Sequence, residues 1–325
     1  MKPSAVAGCL AALCACILFS GTQPLRAQAY PSQDIHFISA FPPGSGADVL
    51  VRYFAEKIRA LANRTVVVEN KAGANGNIAI EYVARSKPDG YTIFVHSGGA
   101  IAGNMHLFKK PPVDVGKALQ MAATINRQAF MLTVSASSPY QTVAELTKAM
   151  QAKGNKATYA SSSVASRVTG AMYAADAKLS ALEVQYRSGP DTLNDMESGA
   201  VDYAFHDPVL ALSQRREGRV RVLAICSDQR MASADDIPTM TELGYPGVRL
   251  VGWFSASVPA GTPEPIVNTI NEWFNQVLST EETAAFLKKS GGDPFISTPA
   301  AAQAFFLGEI EKYGDYVRIA HIEAQ

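Results

Sequence analysis

The sequence predicts an α/β fold in two lobes, each a mostly parallel sheet flanked by helices. Three observations carry this. The chain has 325 residues, 47% of them hydrophobic, enough apolar surface for two separate cores. Short apolar runs alternate with segments of helical period, the pattern of right-handed βαβ crossovers. The C-terminal tail is helical with no sheet of its own, so it is expected to pack back on the first lobe. That lobe is then discontinuous, residues 30–130 plus 252–325. Residues 131–251 form the second lobe, and two crossing strands join them near residues 130 and 252.

The elements follow in order. Ile35 to Ala40 is a short apolar run suited to a strand buried on both faces, and it stops at Phe41-Pro42-Pro43-Gly44-Ser45-Gly46. The next segment places Leu50, Phe54, Ile58 and Leu61 on one helical face and Arg52, Glu56 and Arg59 toward water. Thr65 to Val68 reads as a strand, Asn77 to Ala84 as a helix, and Lys87-Pro88-Asp89-Gly90 as a turn into a strand from Tyr91 to Val95. The small-residue stretch His96-Ser97-Gly98-Gly99 reads as a loop. A second series starts with a strand near Phe130 to Val134. Thr142-Val143-Ala144-Glu145 is a capping box, opening a helix whose core face is Val143, Leu146 and Met150. Strand Thr158 to Ala160, loop Ser161 to Ser166 and a helix to about Asp176 come next. Strand Leu182 to Tyr186 leads to Arg187-Ser188-Gly189, and a helix from Pro190 ends at Gly199. Val201 to Phe205 and Val220 to Ile225 complete that sheet. Leu250 to Val258 is a long strand. Thr262-Pro263 starts a helix with Ile266, Ile270, Phe274 and Val277 on one face, and a last helix after Thr298-Pro299 buries Phe306, Ile310, Tyr313 and Val317.

Residues 1–29 stand apart. Lys2 precedes a charge-free stretch, Pro3 to Leu25, whose apolar heart from Ala5 to Phe19 is too short to span a bilayer. Ala27-Gln28-Ala29 supplies the small-x-small pattern of signal cleavage, so secretion with a cut after Ala29 is expected. Removing Lys2 and Arg26 leaves 27 basic against 29 acidic residues, which gives no footprint for nucleic acid. Cys9, Cys14 and Cys16 leave with the segment. The remaining Cys226, inside Val222-Leu223-Ala224-Ile225-Cys226, reads as core filler.

Ligands of open parallel sheets sit at the carboxyl ends of the strands. Here those ends carry Gly and Ser at 43–46, 97–99, 161–166 and 187–189, each just before a helix. Backbone N–H groups there, at the positive end of a helix dipole, form a natural cradle for an anion. Arg167 and Arg187 neighbour the second-lobe loops and can add charge. Other chemistries lack their marks. Gly44-x-Gly46 has no third glycine, no Gly-Lys-Ser/Thr loop or Gly-x-Ser-x-Gly elbow occurs, and the five histidines never fall at metal-ligand spacing. No catalytic residue, metal or cofactor is expected.

The residues also resemble a known family. Tyr30-Pro31, Phe41-Pro42-Pro43-Gly44 running to Asp48, Val68 to Ile78 (Val-Glu-Asn-Lys-Ala-Gly-Ala-Asn-Gly-Asn-Ile), Pro88-Asp89-Gly90-Tyr91-Thr92, Tyr186-Arg187-Ser188-Gly189, Pro238-Thr239-Met240-Thr241-Glu242 and Trp253 to Pro263 together resemble the receptors of tripartite tricarboxylate transporters, the Bug family. The resemblance implies a periplasmic-binding-protein-like fold. It also implies a monomeric periplasmic receptor that holds a small mono-, di- or aromatic carboxylate between its lobes and serves membrane transporter subunits. Carried over, the first-lobe contacts are Phe41, Pro43, Gly44, Ser45, Gly46, Ser97 and Gly98. The second-lobe contacts are Ser161, Ser162, Ser163, Ser166, Tyr186 and the loop at His206-Asp207, while Asp48 is expected to cap its helix. Ser45 stands where the family has glycine, and is expected to add a donor or change ligand shape. His206 stands where an aspartate is usual, and is expected to make affinity depend on pH. Two other readings remain open at this point: a secreted serine-dependent hydrolase of small esters or amides, and a receptor feeding a periplasmic sensor.

Overall fold

The computed structural model describes residues 30–231, 233–319 and 322–324. The expected signal segment and its cleavage point lie outside the described residues. Along the chain run β1 (Ile35–Ser39), α1 (Gly46–Ala62), β2 (Val66–Asn70), α2 (Asn77–Ala84), β3 (Thr92–Ser97), α3 (Gly98–Leu107), α4 (Val115–Ala118), β4 (Leu119–Ala129) and β5 (Met131–Ser135). They continue with α5 (Val143–Lys153), β6 (Thr158–Ser161), α6 (Val164–Asp176), β7 (Leu182–Gln185), α7 (Thr192–Ser198), β8 (Tyr203–His206), α8 (Pro208–Arg216) and β9 (Val220–Ile225). The last stretch holds β10 (Val251–Pro259), α9 (Glu264–Leu278), α10 (Glu281–Lys289), β11 (Gly292–Pro294) and α11 (Pro299–Ile319).

Two sheets result, in the orders β11-β4-β10-β3-β1-β2 and β7-β6-β8-β5-β9. The chain passes from the first to the second between β4 and β5 and returns at β10. Both sheets are mixed: β10 runs antiparallel to β3 and β4, and β5 antiparallel to β8 and β9. The reason is geometric. Apart from the short edge strand β11, which is antiparallel to β4, strands native to a lobe run toward the lobe junction, so a strand arriving from the other lobe must run away from it.

The first sheet is covered on both faces. Phe37 on β1, Phe54 on α1 and Phe274 on α9 stack with ring centroids 6.0 and 5.6 Å apart. Burial of large aromatic rings of this kind dominates core energetics. On the opposite face Ile38, Phe94 and Trp253 pack with Ala79, Ile80 and Val83 of α2, Ile101 of α3 and Phe306 of α11. Leu61 departs from the expected α1 face, 41% exposed, with Ala62 buried in its place. In the second lobe Tyr159, Tyr203, Phe205 and Tyr173 form an aromatic core under α6, and Cys226 is fully buried in the same cluster. The Thr142–Glu145 capping box forms as read from the sequence. The tail helix α11 packs on α3 and β4, and its Tyr313 and Val317 also join the core that α6 builds.

Candidate functional site

Four helix N-termini meet where the lobes touch. Those of α1 and α3 close the carboxyl ends of β1 and β3, and those of α6 and α8 close the ends of β6 and β8. Across the junction α1 faces α8: a Cβ built on Gly46 would lie 2.9 Å from Val209 Cγ1. Likewise α3 faces α6, since a Cβ on Gly99 would lie 3.4 Å from Ala165 Cβ. A helix N-terminus carries roughly half a positive charge and amides with no partner in the helix, so the α3–α6 pair is an anion-attracting gap, whereas Asp48 and Asp207 already sit at the starts of α1 and α8.

The loop at residues 41–46 is built to hold its shape. Gly44 takes φ +79°, a conformation that suits glycine. Its N–H donates to Asp48 Oδ2 at 2.8 Å, and Asn70 Nδ2 donates to Asp48 Oδ1 at 2.6 Å and to the Phe41 carbonyl at 2.9 Å. Arg52 Nε reaches the same carboxylate at 2.8 Å. Burial alone would raise the Asp48 pKa, but the hydrogen bonds from Arg52, Asn70 and Gly44 outweigh it and hold the carboxyl below its usual range. Asp48 therefore fixes the loop from within. Ser45 is the N-cap of α1: its Oγ accepts from Asp48 N at 3.2 Å and donates to the Pro42 carbonyl at 2.8 Å. The hydroxyl expected as an extra ligand donor is thus spent on the loop itself. Pro43 is exposed on the loop, and the Phe41 ring packs on Phe254 at 5.6 Å.

No loop separates β3 from α3. The strand runs through Ser97, and Gly98 opens the helix. A Cβ at Gly98 would stand 2.0 Å from Trp253 Cε2, so glycine is the residue that lets helix and indole touch. Ser97 makes no side-chain cap. The N–H groups of Gly98 and Gly99 therefore have no acceptor among the described residues.

The second-lobe loop is more self-contained than the sequence implied. Ser163 and Ser166 form a reciprocal capping box, and Ser166 Oγ accepts the N–H groups of Ser162 and Ser163 at 2.9 and 2.8 Å. Ser166 is fully buried and organises the loop rather than facing the cleft. Ser161 Oγ donates to Glu183 Oε1 at 2.5 Å, and Arg167 Nε lies 3.2 Å from Glu183 Oε2. Tyr186 turns its hydroxyl to Asp195 Oδ2 at 2.6 Å. Ser162 keeps a free hydroxyl, and Arg187 is exposed without an ion pair among the described residues.

His206 overturns the expectation placed on it. It is 2% exposed, its Nδ1 lies 2.9 Å from Thr133 Oγ1 and its Nε2 2.7 Å from Thr192 Oγ1. Burial pulls its pKa down to about 4, so near neutral pH it puts no charge into the cleft. Asp207 is the N-cap of α8, its Oδ1 accepting from Leu210 N at 3.1 Å.

An open cavity of about 180 Å³ lies between the lobes. Its second-lobe wall is Ser161, Ser162, Ser163, Val164, Arg167, Gln185, Tyr186 and Arg187, and its first-lobe wall is Asn75, Leu107 and Phe108. Gln185 belongs to β7, an outer strand of the second sheet, and Asn75 follows β2, an outer strand of the first. Phe41, Pro43, Gly44, Ser45, Gly46, Ser97, Gly98, Ser166, His206 and Asp207 do not line it. Asn75 lies in a segment whose resemblance was visible but from which no contact was carried over. Leu107 and Phe108 carried no signal.

Comparison with known proteins agrees with this architecture. Residues 50–320 match the family described as Tripartite tricarboxylate transporter family receptor. Protein BugT of Bordetella pertussis is 27% identical over 298 residues, 91% of this chain and 91% of its own length. The structure of periplasmic binding protein BugD is 26% identical with a TM-score of 0.83, covering 91% of this chain and all of that one. The structure of R. palustris Rpa4515 with adipate, 24% identical, covers the same shares with a TM-score of 0.86 and shows the same fold. The two-lobed, periplasmic-binding-protein-like fold is shared, and this chain belongs to the family of tripartite tricarboxylate transporter receptors.

Proposed function

We propose that the protein is a periplasmic solute receptor that takes one small carboxylate between its lobes, residues 30–130 plus 252–325 and residues 131–251, and presents it to the membrane subunits of a tripartite tricarboxylate-type transporter. The observation that carries this is the facing of α3 and α6. The amides of Gly98, Gly99, Val164 and Ala165 find no acceptor among the described residues, and they open two helices whose positive ends point at one another. A carboxylate between them converts a repulsion into several charge-assisted hydrogen bonds of about 1.5–3 kcal/mol each. Ser162 and Arg187 at the adjoining cavity supply a free hydroxyl and a free cation for the rest of the molecule. The family receptor fold supports the transport role; the adipate held by Rpa4515 is a property of that protein.

Binding is proposed to proceed without turnover. The His96–Ser257 pair, 3.0 Å apart, is wholly buried in the first-lobe core, and both nitrogens of His206 face threonines. Calorimetry of the protein against mono-, di- and aromatic carboxylates is expected to give one-site binding near micromolar, with each ligand recovered unchanged. Failure of every carboxylate to bind sinks the reading. N-terminal sequencing of exported protein is expected to start at Tyr30.

A further inference from the structure

The crossing strand β4 carries one polar side chain that the fold leaves unused. Asn126 is fully buried, yet neither its Nδ2 nor its Oδ1 has a hydrogen-bond partner within the protein. Among the described residues no other buried side chain leaves both ends of an amide unpaired. Burying a carboxamide in this state costs free energy that an apolar residue of the same shape would not incur, and a group bonded to it would remove that cost.

Its place says where that group lies. Asn126 pairs directly with Phe254 on β10, and Phe254 pairs directly with Ser97 on β3. Residues directly opposite in an antiparallel ladder project to the same face, so Ser97, Phe254 and Asn126 form a row level with the start of α3. Trp253, next in β10, points to the other face, where its indole N–H donates to Glu309. Phe254 in turn packs on Phe41 of the β1–α1 loop. The second lobe reaches the same end of the sheet: a Cβ on Gly291 would lie 2.4 Å from Pro208 at the start of α8, and one on Gly292 would lie 2.7 Å from Asn126 Nδ2. Asn126 therefore sits on the crossing strand β4 at the end of the first sheet that meets the start of α8, and does not line the open cavity.

We propose that Asn126 is a specificity residue of the ligand site, and that it reads a hydroxyl on the carboxylate ligand. This rests on the carboxylate reading above. A carboxamide offers N–H donors and a carbonyl acceptor side by side. A second carboxylate satisfies the donors but repels the carbonyl, whereas a hydroxyl both accepts and donates and so satisfies both ends. A site built to bond a hydroxyl rejects the analogue lacking it far more strongly than an apolar pocket rejects a lost methylene.

Three pairs differing by one hydroxyl test this: malate against succinate, 2-hydroxyglutarate against glutarate, and 4-hydroxybenzoate against benzoate. They are titrated calorimetrically into the full mature protein and into N126L, with thermal melting in parallel. The expected result is that at least one hydroxylated acid binds the wild type about tenfold or more tightly than its partner. N126L is expected to erase that preference while melting no lower than the wild type, because it removes a desolvated amide with nothing to bond. Three results overturn the proposal: no hydroxyl preference in the wild type, a preference that survives in N126L, or a lower melting temperature with unchanged affinities, which marks a structural amide or one satisfied by ordered water alone. The wild-type comparison needs no variant to fold. If no carboxylate binds the wild type at all, the receptor reading itself has failed; if carboxylates bind without regard to hydroxyls, only the role of Asn126 has.

Discussion

Acidification from pH 7 to pH 5 should weaken the fold through two buried histidines. His206 is held between Thr133 and Thr192, and His96 lies in the first-lobe core 3.0 Å from Ser257 Oγ. Burial depresses their pKa values to about 4 and about 3, against about 6.5 in an unfolded chain. With a depressed value the unfolded chain takes up the proton first. The neutral folded form is therefore fully favoured above pH 6.5 and loses ground as pH falls below it, until the folded values are reached. At pH 5 each histidine costs about 2 kcal/mol, about 4 for the pair, and at about 2 °C per kcal/mol for a chain of this size the melting temperature should drop by roughly 8 °C. Asp48 does not contribute in this window, because its lowered pKa places its loss of stability below the ordinary carboxylate range. Asp207 acts in the opposite sense: burial raises its carboxyl, the folded form takes that proton first, and Asp207→Asn, which keeps an N-cap, isolates the histidine contribution. The assay is thermal melting by circular dichroism at pH 7, 6 and 5 for Asp207→Asn alone and combined with His206→Gln. The combined variant should lose about half as much stability on acidification. Equal losses in the two proteins, or a His206 ring that titrates near 6.5 by NMR, refute the reasoning.

The serines separate by the hydrogen bonds they already make. Ser162→Phe fills the cavity from a position with a free hydroxyl, and should weaken carboxylate binding at least tenfold in calorimetry while leaving the melting temperature within a few degrees. Ser45→Ala removes the α1 N-cap and should cost about 1 kcal/mol in urea denaturation, with a smaller effect on binding than Ser162→Phe. Gly98→Ala drives a methyl into the Trp253 ring and should destabilise by about 1–3 kcal/mol, read as a lower urea midpoint.

Much of the fold was legible because its signals are local. The Thr142–Glu145 box, the apolar period of α1 and the Pro-Gly turns each fix a boundary within a few residues of chain. Six elements escaped that reading: the short α4, α10 and β11, and three at the lobe junction. Helix α3, Gly-Gly-Ala-Ile-Ala-Gly-Asn-Met-His-Leu, begins with two glycines and is apolar nearly all round, so it has no stripe to mark it; those glycines read as a loop because the indole that requires one of them lies at Trp253, far along the chain. Strand β4, the longest in the fold, is buried on both faces and shows no alternation. Helix α8 opens with Asp207 as its cap and Pro208 in its first turn, directly after the buried His206, and its nine residues are too few for a clear apolar stripe. At the site, loop positions were readable and side-chain availability was not. The spending of Ser161 on Glu183 depends on atoms brought together by the fold, whereas that of Ser45 on Pro42 and of Ser166 on two amides lies within four residues of chain and depends on the turn each loop adopts. Asn126 gave no sign at all, since an asparagine in a strand is unremarkable until its neighbours turn out to be Phe254 and Gly292.

The facing helix termini set a direction for how binding and closure are coupled. Two half-charges about 5 Å apart repel by roughly 1 kcal/mol at an effective dielectric constant of 20. The α3–α6 approach alone therefore disfavours the closed form about fivefold when nothing lies between the helices. The α1–α8 approach adds less, because the Asp207 carboxylate already sits at the start of α8. A carboxylate reverses the sign of the first of these terms and leaves the second nearly untouched. Differential affinity of that kind is what a ligand needs to shift an equilibrium between open and closed forms. In the proposed receptor the charge of the ligand drives closure through Gly98, Gly99, Val164 and Ala165, while its identity is left to be read elsewhere, by the residues of the open cavity and by Asn126. Two receptors with the same helix starts can thus close by the same mechanism on different acids.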